Sequence, residues 1–185
     1  DAMKAIGAHQ RLMILGKPGA GKTTFLKRLA YICAMGEFRR DLVPAFIELR
    51  GLRGRSISEA IHELWGENPT PICDRGRGLL LLDGLDEVPG TNFDKLKREL
   101  DGMALGQSIL FVSSRIAARE YQIPNGVVVE VADFDSNQIR QFADNWFTAR
   151  ERPDLTATFL EHANRDQIRE LAQSPLLLTM MCQIG

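Results

Sequence analysis

One eight-residue run limits this chain more than anything else in it: Gly16-Lys17-Pro18-Gly19-Ala20-Gly21-Lys22-Thr23. It matches G-x-x-x-x-G-K-[ST] and stands where that pattern has structural meaning, after an apolar run at Leu12–Leu15 and before a helical one. Gly19 and Gly21 permit backbone dihedrals that turn successive N–H groups around an anion. The helix that starts near Lys22 points the positive end of its dipole at the same place. Lys22 can reach the β- and γ-phosphates of a nucleoside triphosphate. Thr23 can place a hydroxyl on Mg²⁺, and Pro18 stiffens the loop by fixing one dihedral.

The rest of the first two thirds alternates between strand and helix patterns. After Leu12–Leu15, apolar residues at Phe25, Leu26, Leu29, Ile32 and Cys33 predict a helix over Thr23–Met35, closed by Gly36. Pro44–Leu49 reads as a second strand. A short helix follows from Ser58, with Ala60, Ile61, Leu64 and Trp65 on its apolar face and no capping Glu in Ser58-x-x-Ile61. Gly78–Asp83 is apolar throughout until its last residue, as expected of a strand covered on both faces. Phe93–Leu105 reads as a helix, Ser108–Ser113 as a fourth strand, Pro124-Asn125-Gly126 as a turn and Val127–Val131 as a fifth strand. This alternation implies a parallel sheet with helices on both faces.

Beyond Asp133 no strand pattern returns. Asp135–Phe147, Asp154–Ala163, Asp166–Gln173 and Pro175–Ile184 all read as helices, so the expected organisation is an α/β domain over 1–133 and a helical subdomain over 134–185. The chain stops inside an apolar helix, which reads as a cut through a longer protein. Its 185 residues carry no apolar run near the roughly 20 needed to span a bilayer, and its first ten lack the apolar core of a leader. Cys33, Cys73 and Cys182 form no CxxC pair, which argues against zinc and disulfides and for a reducing cytoplasm. Residues 1–60 hold 11 Lys and Arg against 5 Asp and Glu, but no aromatic residue interleaves the cluster Arg50, Arg53 and Arg55. The basic third therefore reads as solvated surface plus an anion site rather than a nucleic-acid platform. Arg50, Arg53 and Arg55 read as solvated loop residues, Trp65, Trp146 and Phe147 as core, and His9, His62 and His162 match no metal spacing.

Two further stretches complete a phosphate site. Leu79-Leu80-Leu81-Leu82-Asp83-Gly84-Leu85-Asp86-Glu87 carries Asp83 to a strand's carboxyl end, where open α/β sheets bind ligands. Asp83 is placed to hold Mg²⁺ through water. Asp86 and Glu87 are both candidates to orient or deprotonate an attacking water; Glu87 is favoured for its longer stem. Phe111-Val112-Ser113-Ser114-Arg115 ends a strand in an arginine that can sense a γ-phosphate.

Together these motifs resemble the NACHT domain, of the STAND class of signalling ATPases related to AAA+ proteins. The glycine after Asp83 and the acidic pair Asp86-Glu87 are its specific marks. Gly16–Thr24 followed by Phe25-Leu26-Lys27-Arg28-Leu29-Ala30 fits as well. So does Leu171-Ala172-Gln173-Ser174-Pro175-Leu176-Leu177-Leu178, which is similar to the Pro-containing segment of the family's first helical subdomain. The resemblance implies a P-loop NTPase fold, a five-stranded parallel sheet in the order 5-1-4-3-2. It implies ATP or ADP held with Mg²⁺ by the loop up to Thr23 and Thr24, and Pro175, next to Leu176, lying against the adenine. It further implies slow hydrolysis and a nucleotide-controlled switch in immune, stress or other signalling. Winged-helix, sensor and effector regions are expected beyond Gly185, with self-oligomerisation of the whole protein. An AAA+-like motor or loader is the alternative, disfavoured by Asp83-Gly84 in place of Asp-Glu. A small GTPase would need an Asn/Thr-Lys-x-Asp reader, and a transporter ATPase a Ser-Gly-Gly signature; neither occurs.

Overall fold

The computed structural model describes residues 7–116 and 121–184, with the backbone alone at 166 and 167. The reading of the first ten residues falls partly on 1–6, outside the described residues. The chain divides into two compact units, one of residues 1–16 and 22–130, the other of 17–21 and 131–185.

The first unit is built on strands β1 (Arg11–Gly16), β2 (Val43–Glu48), β3 (Gly78–Asp83), β4 (Ile109–Arg115) and β5 (Val127–Glu130). They form one parallel sheet in the order β2-β3-β4-β1-β5, the order that the resemblance implied. Helices α1 (Lys22–Ala34), α2 (Ile57–Trp65), α3 (Thr70–Asp74) and α4 (Gly90–Ala104) connect them, with 3₁₀ turns at Leu49–Leu52 and Leu85–Glu87. The central strands bury both faces: β3 is buried up to Leu82 and β4 up to Ser114. Burial on both sides explains the unbroken apolar runs and confines the polar residues to the carboxyl ends. The register sets Glu48 against Asp83 and Gly16 against Arg115, so the polar ends align along one edge.

Helix α2 departs from expectation. Its cap is Ser56, not Ser58: the Glu59 amide donates to Ser56 Oγ at 3.0 Å and the Ser56 amide donates to Glu59 Oε2 at 2.6 Å. The box Ser56-x-x-Glu59 begins two residues before the one considered and satisfies two N-terminal amides that a start at Ser58 would orphan. Leu64, expected on the apolar face, is exposed. Trp65 packs on the core and donates its Nε1 to Pro44 O at 3.3 Å. Helix α3 was not foreseen, because it buries no residue and so leaves no apolar spacing.

The second unit packs α5 (Ser136–Thr148), α6 (Leu155–Ala163), α7 (Asp166–Ala172) and α8 (Pro175–Ile184) around Ile139, Ala143, Phe147, Leu160 and Leu178. Asp135 caps α5 through the Asn137 and Gln138 amides. The break between α7 and α8 falls at Gln173 and Ser174, where the residue before a proline is biased away from helix. Pro175 opens α8, a position whose missing N–H costs the helix nothing.

Candidate nucleotide site

Thr23 and Asp83 meet. The Thr23 hydroxyl, one residue into α1, donates to Asp83 Oδ2 at 2.7 Å. Asp83 stands at the end of β3 because β3 is buried to its last residue but one and then reaches the polar edge. Its other oxygen, Oδ1, accepts from Ser113 Oγ at 2.5 Å, and that hydroxyl in turn accepts from the Gly84 amide at 3.0 Å. Ser113 is wholly buried, so this pair of contacts fixes the carboxylate from behind. Sequence reading did not assign Ser113 a role; the signal was a hydroxyl at the end of an otherwise apolar buried strand.

The donor set suits Mg²⁺. One hydroxyl and one carboxylate face each other with hard oxygens, and Mg²⁺ takes few protein ligands, completing its octahedron with water and phosphate oxygens. Among the described residues no group of three or more His, Cys, Asp and Glu converges into a metal cage. Thr23 and Asp83 are therefore the residues that would hold the ion.

Lys22 lies beside them and donates to Gly16 O at 2.8 Å. Partial burial holds its ammonium below the ordinary lysine range. Asp86 opposes that shift, Arg115 adds to it, and Asp83 and Glu87 oppose it more weakly. An anion brought to Lys22 would offset the lost hydration.

The two candidate acids have different surroundings. Gly84 turns the chain at φ 80°, which places the 3₁₀ turn directly after β3. Asp86 is gripped by β4: Arg115 donates its amide to Oδ1 at 2.9 Å and its Nε lies 2.9 Å from Oδ2. Asp86 is only 12% exposed in its side chain. Glu87 is 37% exposed and lies 3.4 Å from Arg50 Nη1. Arg50, read as solvated, thus pairs with an acid of the site, and also reaches Glu48 at 3.4 Å. Glu48 binds Lys27 at 3.0 Å, one turn along α1 from Thr23. The sequence did not reveal this chain, because Glu48 belongs to no motif and stands 21 residues from Lys27.

In the second unit, the loop residues pack with the start of α8. Gly19 and Gly21 have φ of 76° and 88°, as a phosphate cradle requires. The Leu176 amide donates to Gly19 O at 3.3 Å. A Cβ on Gly19 would stand 2.8 Å from Leu176 Cβ, and one on Gly21 would stand 4.0 Å from Pro175 Cγ. Lys17 pairs with Asp133 at 2.6 Å. Loop residues 17–21 and the expected proline segment therefore lie together within this unit.

Comparison with known proteins identifies the family. The NACHT domain model matches residues 10–150. The chain is 24% identical to NACHT, LRR and PYD domains-containing protein 9 of Bos taurus, over 98% of this chain and 21% of that protein. It is 24% identical to NLR family CARD domain-containing protein 4 of Xenopus tropicalis, over 93% of this chain and 18% of that protein. The chain thus spans about a fifth of the length of these relatives. Among solved structures, domain III of the Thermotoga maritima replication initiation protein DnaA superposes with a TM-score of 0.56 at 16% identity, covering 93% of this chain and 78% of that one. Caenorhabditis elegans PCH-2, at 12% identity, gives 0.55 over 95% and 61%. At these identities the likeness to the solved structures is one of fold.

Proposed function

This chain belongs to the NACHT domain family, nucleotide-binding P-loop NTPase modules of NLR-like proteins, and from that membership we propose that it is a Mg²⁺-dependent ATP/ADP switch with slow hydrolysis. The observation that carries the proposal is the 2.7 Å contact between Thr23 and Asp83 at the end of a complete phosphate loop. Within a longer protein such a module would govern oligomerisation in immune, stress or other signalling, in the cytoplasm. Among the described residues no helix is long and apolar enough to cross a membrane.

The chain's own residues divide the work. Loop amides from Gly19 to Thr23 bind phosphate oxygens, and Lys22 leaves Gly16 O to bridge the β- and γ-phosphates. When bound, Mg²⁺ neutralises charge developing on the phosphate oxygens. Glu87 takes the proton of the attacking water as the bond from water to the γ-phosphorus forms and the bond to the β,γ-bridging oxygen breaks, releasing ADP and phosphate. Asp86 is committed to β4 and positions Arg115, whose guanidinium it holds by the Nε edge, for the γ-phosphate. Pro175, beside Gly21, offers an apolar ring to the base, which the phosphate loop does not read.

Two measurements on one preparation test this. Nucleotide released on denaturation, identified by chromatography, should be an adenine nucleotide. Single-turnover hydrolysis of labelled ATP should proceed slowly with Mg²⁺ and stop with EDTA. Guanine nucleotide alone in the released fraction, or turnover indifferent to EDTA, would overturn the proposal.

A further inference from the structure

We propose that the amino-terminal edge of the sheet holds a second ligand site, separate from the nucleotide site, for a small hydroxyl-rich phosphate ester of the sugar-phosphate class. Here the segments that enter β1, β2, β3 and β4 enclose a pocket of about 410 Å³. That volume lies within the roughly 300–1,000 Å³ usual for small-molecule sites. His9, Gln10, Arg39, Asp41, Arg75 and Gln107 line it, with little apolar surface between them. Thr23 and Asp83 stand at the opposite, carboxyl edge of the same sheet, so this pocket shares no residue with the phosphate chemistry proposed above.

Hydrogen bonds within the protein hold the walls in place. The Leu110 amide donates to Gln10 O at 2.8 Å and Arg11 Nη2 donates to Gly106 O at 2.7 Å, which joins the entries of β1 and β4. The Val43 amide donates to Arg77 O at 2.7 Å and Arg77 Nε donates to Asp41 O at 2.9 Å, which joins the entries of β2 and β3. Two arginines bring charge to this frame. The Arg75 side chain makes neither a hydrogen bond nor an ion pair among the described residues. Arg39 donates Nε and Nη2 to Asp41 at 3.1 and 3.0 Å, which fixes its plane and leaves Nη1 without a hydrogen bond among the described residues. It does so at φ 45°, a left-handed backbone that costs any residue but glycine. The Arg39–Asp41 pair is about half-exposed, and such pairs contribute little to folding. Stability therefore does not account for an arginine here. Arg39 balances Asp41, so Arg75 leaves the pocket with excess positive charge. Guanidinium forks match phosphate oxygens, and the side-chain amides of Gln10 and Gln107 can both donate to and accept from hydroxyls.

Amide shifts of the whole chain, followed by NMR while ribose 5-phosphate is added, test the site directly. Saturable shifts should appear at residues 7–10, 39–41, 75–76 and 107. Inorganic phosphate, which offers no hydroxyl-bearing body to the glutamines, should bind the same residues about tenfold more weakly. Arg75→Gln and Arg39→Gly should each weaken ribose 5-phosphate about tenfold or more, the order expected when a hydrogen bond to a charged group is lost. Arg39→Gly also separates binding from folding, because glycine adopts φ 45° freely: its melting temperature should be no lower than that of the wild type while its affinity falls. Shifts confined to Gly16–Thr23, or none at all, would overturn the proposal. So would undiminished affinity in Arg75→Gln, or an Arg39→Gly protein that melts earlier but binds as before. Equal affinity for inorganic phosphate would overturn the sugar-phosphate assignment.

Discussion

Replacing Ser113 by Ala should damage both the fold and the metal site through one oxygen atom. The hydroxyl is wholly buried at the end of β4, donates to Asp83 Oδ1 at 2.5 Å and accepts from the Gly84 amide at 3.0 Å. Its removal deletes a hydrogen bond to a charged group, worth about 1.5–3 kcal/mol, and orphans an amide for about 1–3 kcal/mol more. The two losses share one site and do not add fully, so about 2–4 kcal/mol of stability should go. Among the described residues Asp83 then keeps only the hydrogen bond from Thr23, and loss of such an outer partner typically weakens metal binding by about 10–100-fold. Urea denaturation gives the first quantity and a calorimetric Mg²⁺ titration of the ADP complex the second. Ser113→Cys, close in size but a weak donor, should fall between the two proteins in both. Stability within about 0.5 kcal/mol of wild type, together with an unchanged Mg²⁺ dependence, would refute the account of Ser113 as the support of Asp83.

The central fold was legible because its strands are buried on both faces. Such burial writes itself as the unbroken apolar runs at Leu12–Leu15 and Leu79–Leu82, and the glycine spacing of the loop lies directly between a strand and a helix. The order of the strands was not in the residues; it came with the resemblance, since alternation alone is compatible with several sheets. Helix starts were less secure. Ser56-x-x-Glu59 was overlooked in favour of Ser58 because the apolar face seen from the sequence begins only at Ala60. Motif residues of the site were legible singly, but not what restrains them. Ser113 holding Asp83, Asp86 holding Arg115 and Arg50 spanning Glu48 and Glu87 are all contacts across strands, made between positions 29 to 37 residues apart in all but the Glu48–Arg50 step. No local periodicity encodes such pairs. They follow from register, which sets the carboxyl ends of β2, β3 and β4 side by side.

Three other substitutions bear on the same architecture. Lys22→Ala should abolish measurable binding of Mg-ADP by calorimetry, a loss of more than about 2 kcal/mol for a charge-assisted contact to phosphate, while leaving the fold intact. Glu87→Gln should retain nucleotide affinity and lower single-turnover hydrolysis by about 10²-fold or more, whereas Asp86→Asn should shift the Arg115 contacts and cost less. Turnover lost in Asp86→Asn alone would reverse the two roles. Finally, Gly19→Ala should be worse than Gly21→Ala, although both glycines sit at positive φ, 76° and 88°. The dihedral strain, about 1–2 kcal/mol, is common to both. Only at position 19 does the new methyl also collide, 2.8 Å from Leu176 Cβ, where the Leu176 amide donates to the Gly19 carbonyl. At position 21 the nearest atom is Pro175 Cγ at 4.0 Å, an ordinary contact. The overlap should displace the first turn of α8, adding about 1–3 kcal/mol and speeding amide exchange along that helix selectively in the Gly19 variant. Equal costs for the two variants, with α8 exchanging at the wild-type rate in both, would mean that the loop does not press on Leu176 in solution.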